Sequence, residues 1–138
     1  MRSYARIRGE EREGAAAVEL ALVGPVFFLL LVGMVVYGAW FWMAHSVQSA
    51  VSEGARAAIA GLDAAEREQL AREVVEAQLK DLGLKAADAV VGVRAEPGRV
   101  RVEVAYDAGG HPLMALSPLT VPPPRTIRRA AVIRVEES

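Results

Sequence analysis

An apolar segment without a charged residue runs from Leu20 to Ala44 and constrains the fold of this chain more than any other feature. An α-helix needs about 20 apolar residues to cross the hydrocarbon of a bilayer, so the segment is long enough to span a membrane. Its last turns are rich in aromatic residues: Tyr37, Trp40, Phe41 and Trp42. Aromatic side chains are enriched where a span meets water, so this group predicts an interfacial anchor at the outer end.

The arginines around the apolar segment predict its orientation. Four of them precede it: Arg2, Arg6, Arg8 and Arg12. Only Arg56 follows it closely. Positively charged flanks remain in the cytoplasm, so we expect the N-terminus inside and the chain from about residue 45 onward outside.

A cleaved secretory signal is the alternative explanation of this segment. The apolar core of a signal peptide has about 7–15 residues and is followed closely by small residues at a cleavage site. Here the apolar segment is longer and ends near the bulky Trp42. Residues 58–60 (Ala-Ile-Ala) have the shape of a cleavage site but lie beyond Glu53 and Arg56. The sequence therefore favours a retained membrane anchor.

Composition limits what the rest of the chain can do. The part that follows the anchor is long enough for one small domain but not for two. A net charge of −1 argues against the strongly basic surface that binds nucleic acid. The absence of cysteine excludes disulfides and thiolate metal sites.

Small residues recur at helical spacing just after the apolar segment. Ala50, Gly54 and Ala58 are four residues apart, so they share one face of a helix that continues from the span. Small side chains let a second helix approach closely. Two interpretations remain open: a stripe that packs against a partner helix, or a short helical extension with a narrow surface.

A second, amphipathic helix is predicted over residues 63–82. Asp63 followed by Glu66 has the pattern of an N-cap, in which the side chain accepts hydrogen bonds from the first free amides. Apolar residues fall on one half of the helical wheel: Leu70, Ala71, Val74, Val75, Leu79 and Leu82. Charged residues occupy the other half, and Gly83 is suited to end the helix.

Beyond Gly83 the apolar residues alternate, which predicts strands. The inward-facing residues of a predicted hairpin are Val91, Val93, Ala95, Val100, Val102, Val104 and Tyr106. Pro97 and Gly98 form its turn, because proline presets φ and glycine permits positive φ. After a Gly- and Pro-rich connector (residues 108–124), a third strand has apolar inward residues: Ile127, Ala131, Ile133 and Val135. Arg129 does not fit this face.

These elements together predict an α+β fold. A long N-terminal transmembrane helix continues outside the membrane, and an amphipathic helix then packs on a small, mostly antiparallel three-stranded sheet.

No constellation of catalytic residues is recognisable. His45 and His111 are far apart in the sequence and lack the spacing of a zinc site. Neither a nucleophile elbow nor a phosphate-binding glycine loop is present. We therefore expect no enzymatic activity, no cofactor, no metal and no small-molecule substrate.

The stretch Gly14-Ala15-Ala16-Ala17-Val18-Glu19 directly before the apolar segment carries a family resemblance. With Glu53-Gly54-Ala55-Arg56-Ala57-Ala58 behind the segment, it resembles TadE-like minor pilins, or pseudopilins, of the tight-adherence (Flp-type, type IVc) pilus systems. The resemblance covers roughly residues 9–61, and the strand-rich remainder matches only in layout. The chain is also much larger than a major Flp pilin, which favours a minor role.

The resemblance implies a maturation step and an assembly role. A prepilin peptidase would cut after Gly14, leaving Ala15 as the new N-terminus and Glu19 as the fifth mature residue. Glu19 would then attract the free amine of a neighbouring subunit during assembly. The residues alone leave another interpretation of Glu19 open, namely an acid that interacts with the dipole at a helix start.

The resemblance also implies a location and partners. We expect a leader (residues 1–14), a membrane and extended helix (residues 15–61) and an extracytoplasmic domain (residues 62–138), anchored in the bacterial inner membrane. The implied partners are other pilins, the Tad assembly machinery and the prepilin peptidase. The alternative function is an uncleaved single-pass anchor whose outer domain binds an envelope component or a protein, for example at an open sheet edge.

Overall fold

The computed structural model describes residues 3–135, and the side chains of residues 14–135. Its elements are helix α1 (Ser3–Ala57), helix α2 (Ala64–Asp81) and strands β1 (Ala89–Glu96), β2 (Arg99–Asp107) and β3 (Thr126–Arg134). The predicted α+β fold is confirmed, with a long apolar helix, a second helix and a three-stranded antiparallel sheet.

Helix α1 changes its surroundings along its length. Between residues 14 and 31 the side chains are exposed on every side of the helix, apart from a half-buried Gly24. From Val32 onward one face is buried, and Val36, Met43 and Val47 are completely enclosed. The part of α1 from Val32 onward therefore belongs to the domain core, whereas residues 14–31 extend from it.

The ends of α2 are fixed by local hydrogen bonds, as the sequence predicts. The Asp63 carboxylate accepts a hydrogen bond from the Glu66 amide at 2.8 Å, and the Glu66 side chain accepts one from the Leu62 amide. At the other end Gly83 has φ of +75°, and the Leu84 amide donates to the Leu79 carbonyl at 2.8 Å. This is a Schellman ending, which requires the left-handed conformation that glycine adopts freely.

Strand β2 is the centre of the sheet and pairs antiparallel with β1 and β3. The predicted hairpin turn is present: Glu96 lies opposite Arg99, and Gly98 has φ of +73°. The predicted inward-facing residues of the hairpin are buried or half-buried, and alternate with exposed or half-buried ones. Arg129 lies opposite Val104 on the inner face and is half-buried there.

The core lies between the inner face of the sheet and the two helices. Among residues 14–135 the buried side chains other than Ser46 are apolar, and most of them come from α1, α2 and β2. Arg72 of α2 also donates a hydrogen bond to the Val91 carbonyl of β1 at 3.1 Å, which joins the second helix to the sheet edge. Burial of this apolar surface is the main source of the domain's stability.

The connector between β2 and β3 is more ordered than its composition predicts. It forms 3₁₀ turns at Ala108–Gly110 and Pro112–Leu119, and its course is fixed by α1. The Tyr37 hydroxyl donates to the Val121 carbonyl at 2.9 Å, and the Trp40 indole donates to the Pro124 carbonyl at 2.8 Å. Two residues of the predicted aromatic belt thus hold the connector in place.

Candidate functional site

Residues 14–31 of α1 form the most unusual surface among the side chains that the structure describes. We call these residues the exposed segment. Its large apolar side chains are mostly uncovered, with Leu20 and Leu22 both 71% exposed. An apolar helix without a covered face is unfavourable in water, because burial of each large apolar side chain lowers the free energy by about 1.5–3 kcal/mol. The exposed segment therefore requires lipid or neighbouring helices around it.

Glu19 is the only ionisable residue of the exposed segment. It lies within α1, between Val18 and Leu20, and one helical turn after Ala15. The Glu19 side chain is exposed, as are its neighbours. A carboxylate at this place is surrounded by apolar atoms as soon as lipid or other helices cover the segment. Its charge then needs water or a cationic partner.

The predicted processing site lies in the same helix. The peptide bond between Gly14 and Ala15 is within the continuous backbone of α1, and both residues are exposed. A Cβ atom built on Gly14 would meet no atom within 4 Å. Packing inside the domain therefore does not explain the glycine, and cleavage after it remains a prediction.

The small residues of the predicted stripe are buried inside the chain itself. Ala50 and Gly54 lie on α1, whereas Ala58 begins the 3₁₀ turn that follows it. Ala50 and Ala58 are completely enclosed, and Gly54 is buried between them. A Cβ atom on Gly54 would lie 2.5 Å from Val75 Cγ2 and 2.9 Å from the Ala71 carbonyl oxygen, both on α2. At Gly54 the helix against which α1 packs is therefore the chain's own α2, and the predicted role of this stripe in assembly remains a prediction.

The two histidines lie in different settings. His45 is exposed on α1, whereas His111 begins the 3₁₀ turn of the connector and accepts a hydrogen bond from the Leu113 amide at 3.3 Å. The His111 ring lies 6.1 Å from that of Trp42. Over the residues that the structure describes, no group of three His, Asp or Glu side chains could hold a metal ion.

An ion pair closes the base of the connector. Arg125 donates two hydrogen bonds to the Asp107 carboxylate, at 3.0 and 3.1 Å, and the Ala108 amide donates to the Arg125 carbonyl at 2.8 Å. The Gly109 amide also donates to Asp107, at 2.9 Å. The Arg125 guanidinium, aided by this amide, lowers the pKa of Asp107 below its ordinary value.

This lowered pKa predicts a pH dependence of stability. The pair stabilises the fold above the ordinary carboxyl pKa of about 3.9, and its contribution is lost as pH falls through the lower folded value. We expect Asp107→Asn to lower the urea midpoint at pH 7, and the difference from wild type to close at strongly acidic pH. Urea titrations of the detergent-solubilised protein from pH 2 to 7 measure this.

Glu103→Gln is the matched control for this experiment. Glu103 forms an exposed ion pair with Arg101 on the outer face of the sheet, where it closes no loop. Its loss should change the midpoint less, because Glu103 pairs within one strand, whereas the equally exposed Asp107 also accepts the Gly109 amide and pairs with a residue 18 positions away. A gap between Asp107→Asn and wild type that stayed constant over the whole pH range would contradict an electrostatic role of the pair.

The comparisons with known proteins address the same part of the chain. The family model described as TadE-like protein matches residues 14–56. Residues 14–56 are TadE-like. No curated protein and no solved structure matches the chain. The TadE-like match begins at Gly14, includes Glu19 and ends one residue before α1 does. It confirms the predicted family resemblance over these residues. The TadE-like family is associated with the Tad pilus system and is generally structural rather than enzymatic.

One feature of the site was missed in the sequence. Residues 112–124 contain no charged side chain, and their three leucines and one valine are exposed. The glycines and prolines of residues 108–124 predict a connector and nothing more. The signal that could have revealed it was the combination of leucines with a complete lack of charge in a loop.

Proposed function

We propose that the protein is a TadE-like pseudopilin or minor pilin that acts in the assembly of a tight-adherence (type IVc, Flp) pilus. Its role is structural rather than catalytic. The observation that carries this proposal is the exposed segment, an uncovered apolar helix with one acid, within the residues that match the TadE-like model. Such a segment can lie in lipid before assembly and pack among other helices afterwards.

Glu19 fixes the register in which the exposed segment packs against the helix of a neighbouring subunit. After cleavage behind Gly14, the new amine on Ala15 and the carboxylate of Glu19 would be the charges of the mature segment. When the segment packs beside a neighbouring subunit, an amine that meets Glu19 offsets part of the cost of burying both charges. A shifted register leaves each charge without a partner, so the pair favours one alignment.

The proposed location is the bacterial inner membrane, with the N-terminus in the cytoplasm and the domain outside. The four arginines before Gly14 support this orientation. The proposed partners are other pilins, the Tad assembly machinery and the prepilin peptidase.

The N-terminus of the mature protein tests the proposal. In cells with an active prepilin peptidase, mass spectrometry of the membrane-extracted protein should find Ala15 as the first residue. Gly14→Val should abolish this product, because valine places a bulky side chain where a peptidase that cuts after glycine expects none. Gly24→Val is the matched control, since a Cβ on Gly24 also meets no atom within 4 Å. An intact leader in wild-type cells would exclude processing.

A second candidate function follows from the sheet. Strands β1 and β3 are both outer strands, so within residues 3–135 each has one edge that no other strand pairs with. An open edge can accept an added strand from another protein. On this alternative the chain is an uncleaved anchor, and its domain binds an envelope component. Association with such a component in cells without pilus genes would favour this alternative, whereas co-purification with Flp subunits would favour the first.

A further inference from the structure

We propose that residues 112–121, here called the apolar loop, insert into the outer interface of the membrane, so that the domain rests on lipid. This inference depends on the proposed membrane anchoring of α1. The loop would contact the boundary between the lipid headgroups and the acyl chains. Neither the anchoring of α1 nor the assembly role of Glu19 explains why this surface is apolar.

The composition and exposure of the loop fit such a site. Its exposed large apolar side chains are Leu113, Leu116, Leu119 and Val121, the last of which is 78% exposed. No charged residue occurs from Pro112 to Pro124. Segments that bind in the membrane interface bury apolar side chains about 5–10 Å into the boundary of headgroups and acyl chains.

The loop lies at a defined level of helix α1. Thr120 Cγ2 is 3.9 Å from the position of a Cβ on Gly33. Further along the helix, the hydrogen bonds from Tyr37 and Trp40 hold the carbonyls of Val121 and Pro124. The apolar loop is therefore held beside residues 33–40, directly after the exposed segment ends.

The length of the exposed segment shows where the membrane must end. Residues 15–31 extend about 25 Å at 1.5 Å per residue, whereas the hydrocarbon of a bilayer is about 30 Å thick. Counting about 20 residues from Ala15 reaches Met34, and counting them from Leu20 reaches Ala39. Both counts place the outer boundary at the level of α1 that contacts the apolar loop.

The surface around the loop continues the same apolar character. On α1 itself, Met34 is 70% exposed and Phe41 is 64% exposed, at the level of the loop contacts. Below this level the exposed segment is apolar on all sides apart from Glu19. The loop is also held firmly, because Met114 is buried in the core and the Asp107–Arg125 pair closes its base. A fixed apolar loop beside a membrane helix fits a lipid surface.

Site-directed labels test the inference, and the absence of cysteine makes single-cysteine variants straightforward. The full chain carries Leu119→Cys or Val121→Cys, each labelled with the fluorophore NBD. It is reconstituted into vesicles of phosphatidylethanolamine and phosphatidylglycerol that contain spin-labelled lipid. Phe28→Cys reports on the exposed segment, and Val90→Cys, 74% exposed on the outer face of the sheet, reports on a surface in water.

The expected result is that the labels at Leu119 and Val121 are quenched by spin-labelled lipid several-fold more than the label at Val90. If only Phe28 is quenched, the loop stands clear of the membrane, and the inference fails while the anchor stands. If no label is quenched, the anchoring itself fails. Loop labels shielded from aqueous iodide but not quenched by lipid would mean that protein, such as a second copy, covers the loop, which would also overturn the inference.

Discussion

Replacing Gly54 by leucine is expected to destabilise the domain by about 1–3 kcal/mol or more, the cost of overpacking a core. Gly54 lies where α1 meets α2, and even the Cβ of alanine would approach Val75 Cγ2 to 2.5 Å. The Val75 side chain can rotate, but the Ala71 carbonyl oxygen at 2.9 Å belongs to the backbone of α2. The two helices must therefore move apart, which opens the core between them.

Helix propensity acts in the opposite direction and makes the experiment sharper. Leucine within a helix stabilises the helix by up to about 1 kcal/mol relative to glycine. If Gly54 had no packing role, its replacement would stabilise α1. The expected loss of stability therefore has the opposite sign from the effect of propensity alone. Urea unfolding of the solubilised protein, followed by circular dichroism, measures the difference.

Gly38→Leu is the matched control in the same helix. Gly38 is exposed, and a Cβ atom there would meet nothing within 4 Å. No packing opposes helix propensity there, so leucine at this position should leave stability unchanged or raise it by up to about 1 kcal/mol. Equal unfolding midpoints for the Gly54 and Gly38 variants would refute the close approach of α1 and α2.

The parts of the fold that the sequence predicts well are those fixed by neighbouring residues. Asp63 and Glu66 satisfy the amides at the start of α2 within one turn, and Gly83 ends it through its positive φ. The hairpin register likewise depends on a two-residue turn at Pro97 and Gly98 and on alternating valines. These signals act over few residues, so they can be recognised without knowledge of tertiary contacts.

The division of α1 could not be predicted in this way. Val35 and Val36 contribute equally to an apolar pattern, yet Val35 is 45% exposed and Val36 is completely buried. The difference depends on the domain that folds back against the helix from far along the chain. The same holds for Tyr37 and Trp40, whose hydrogen-bond acceptors in the connector are 84 residues away.

The residues of the candidate site stand out in the sequence, but their surroundings do not. Small residues and one acid (Gly14, Ala15 and Glu19) precede an apolar helix, a pattern that resembles a known family, and the roles of these residues in processing and assembly remain predictions. The proposed partner of Glu19 is the amine of a neighbouring subunit, so a single chain does not contain it. The assembly role of Glu19 therefore remains a prediction, and testing it requires the assembled filament.

Replacing Glu19 by alanine is expected to leave membrane insertion intact and to reduce incorporation into the pilus by at least about tenfold. Insertion depends on the apolar residues of the span, and removal of a charge makes it easier. Incorporation depends on pairing with the amine of a neighbour. A loss of about 1.4 kcal/mol suffices for a tenfold effect, and an unpaired buried charge costs several times more.

Glu53→Ala is the matched control, because Glu53 is an acid on the same helix. It forms an exposed ion pair with Arg56 at 3.1 Å, and pairs of this kind contribute little. Carbonate extraction should show both variants in the membrane, and purified pili should contain Glu53→Ala at the wild-type level. Glu19→Gln keeps the shape of the side chain without its charge, so a loss equal to that of Glu19→Ala assigns the effect to charge. Normal incorporation of Glu19→Ala would contradict the pairing role. The carboxylate would then be explained by a favourable contact with the dipole at the start of a membrane helix.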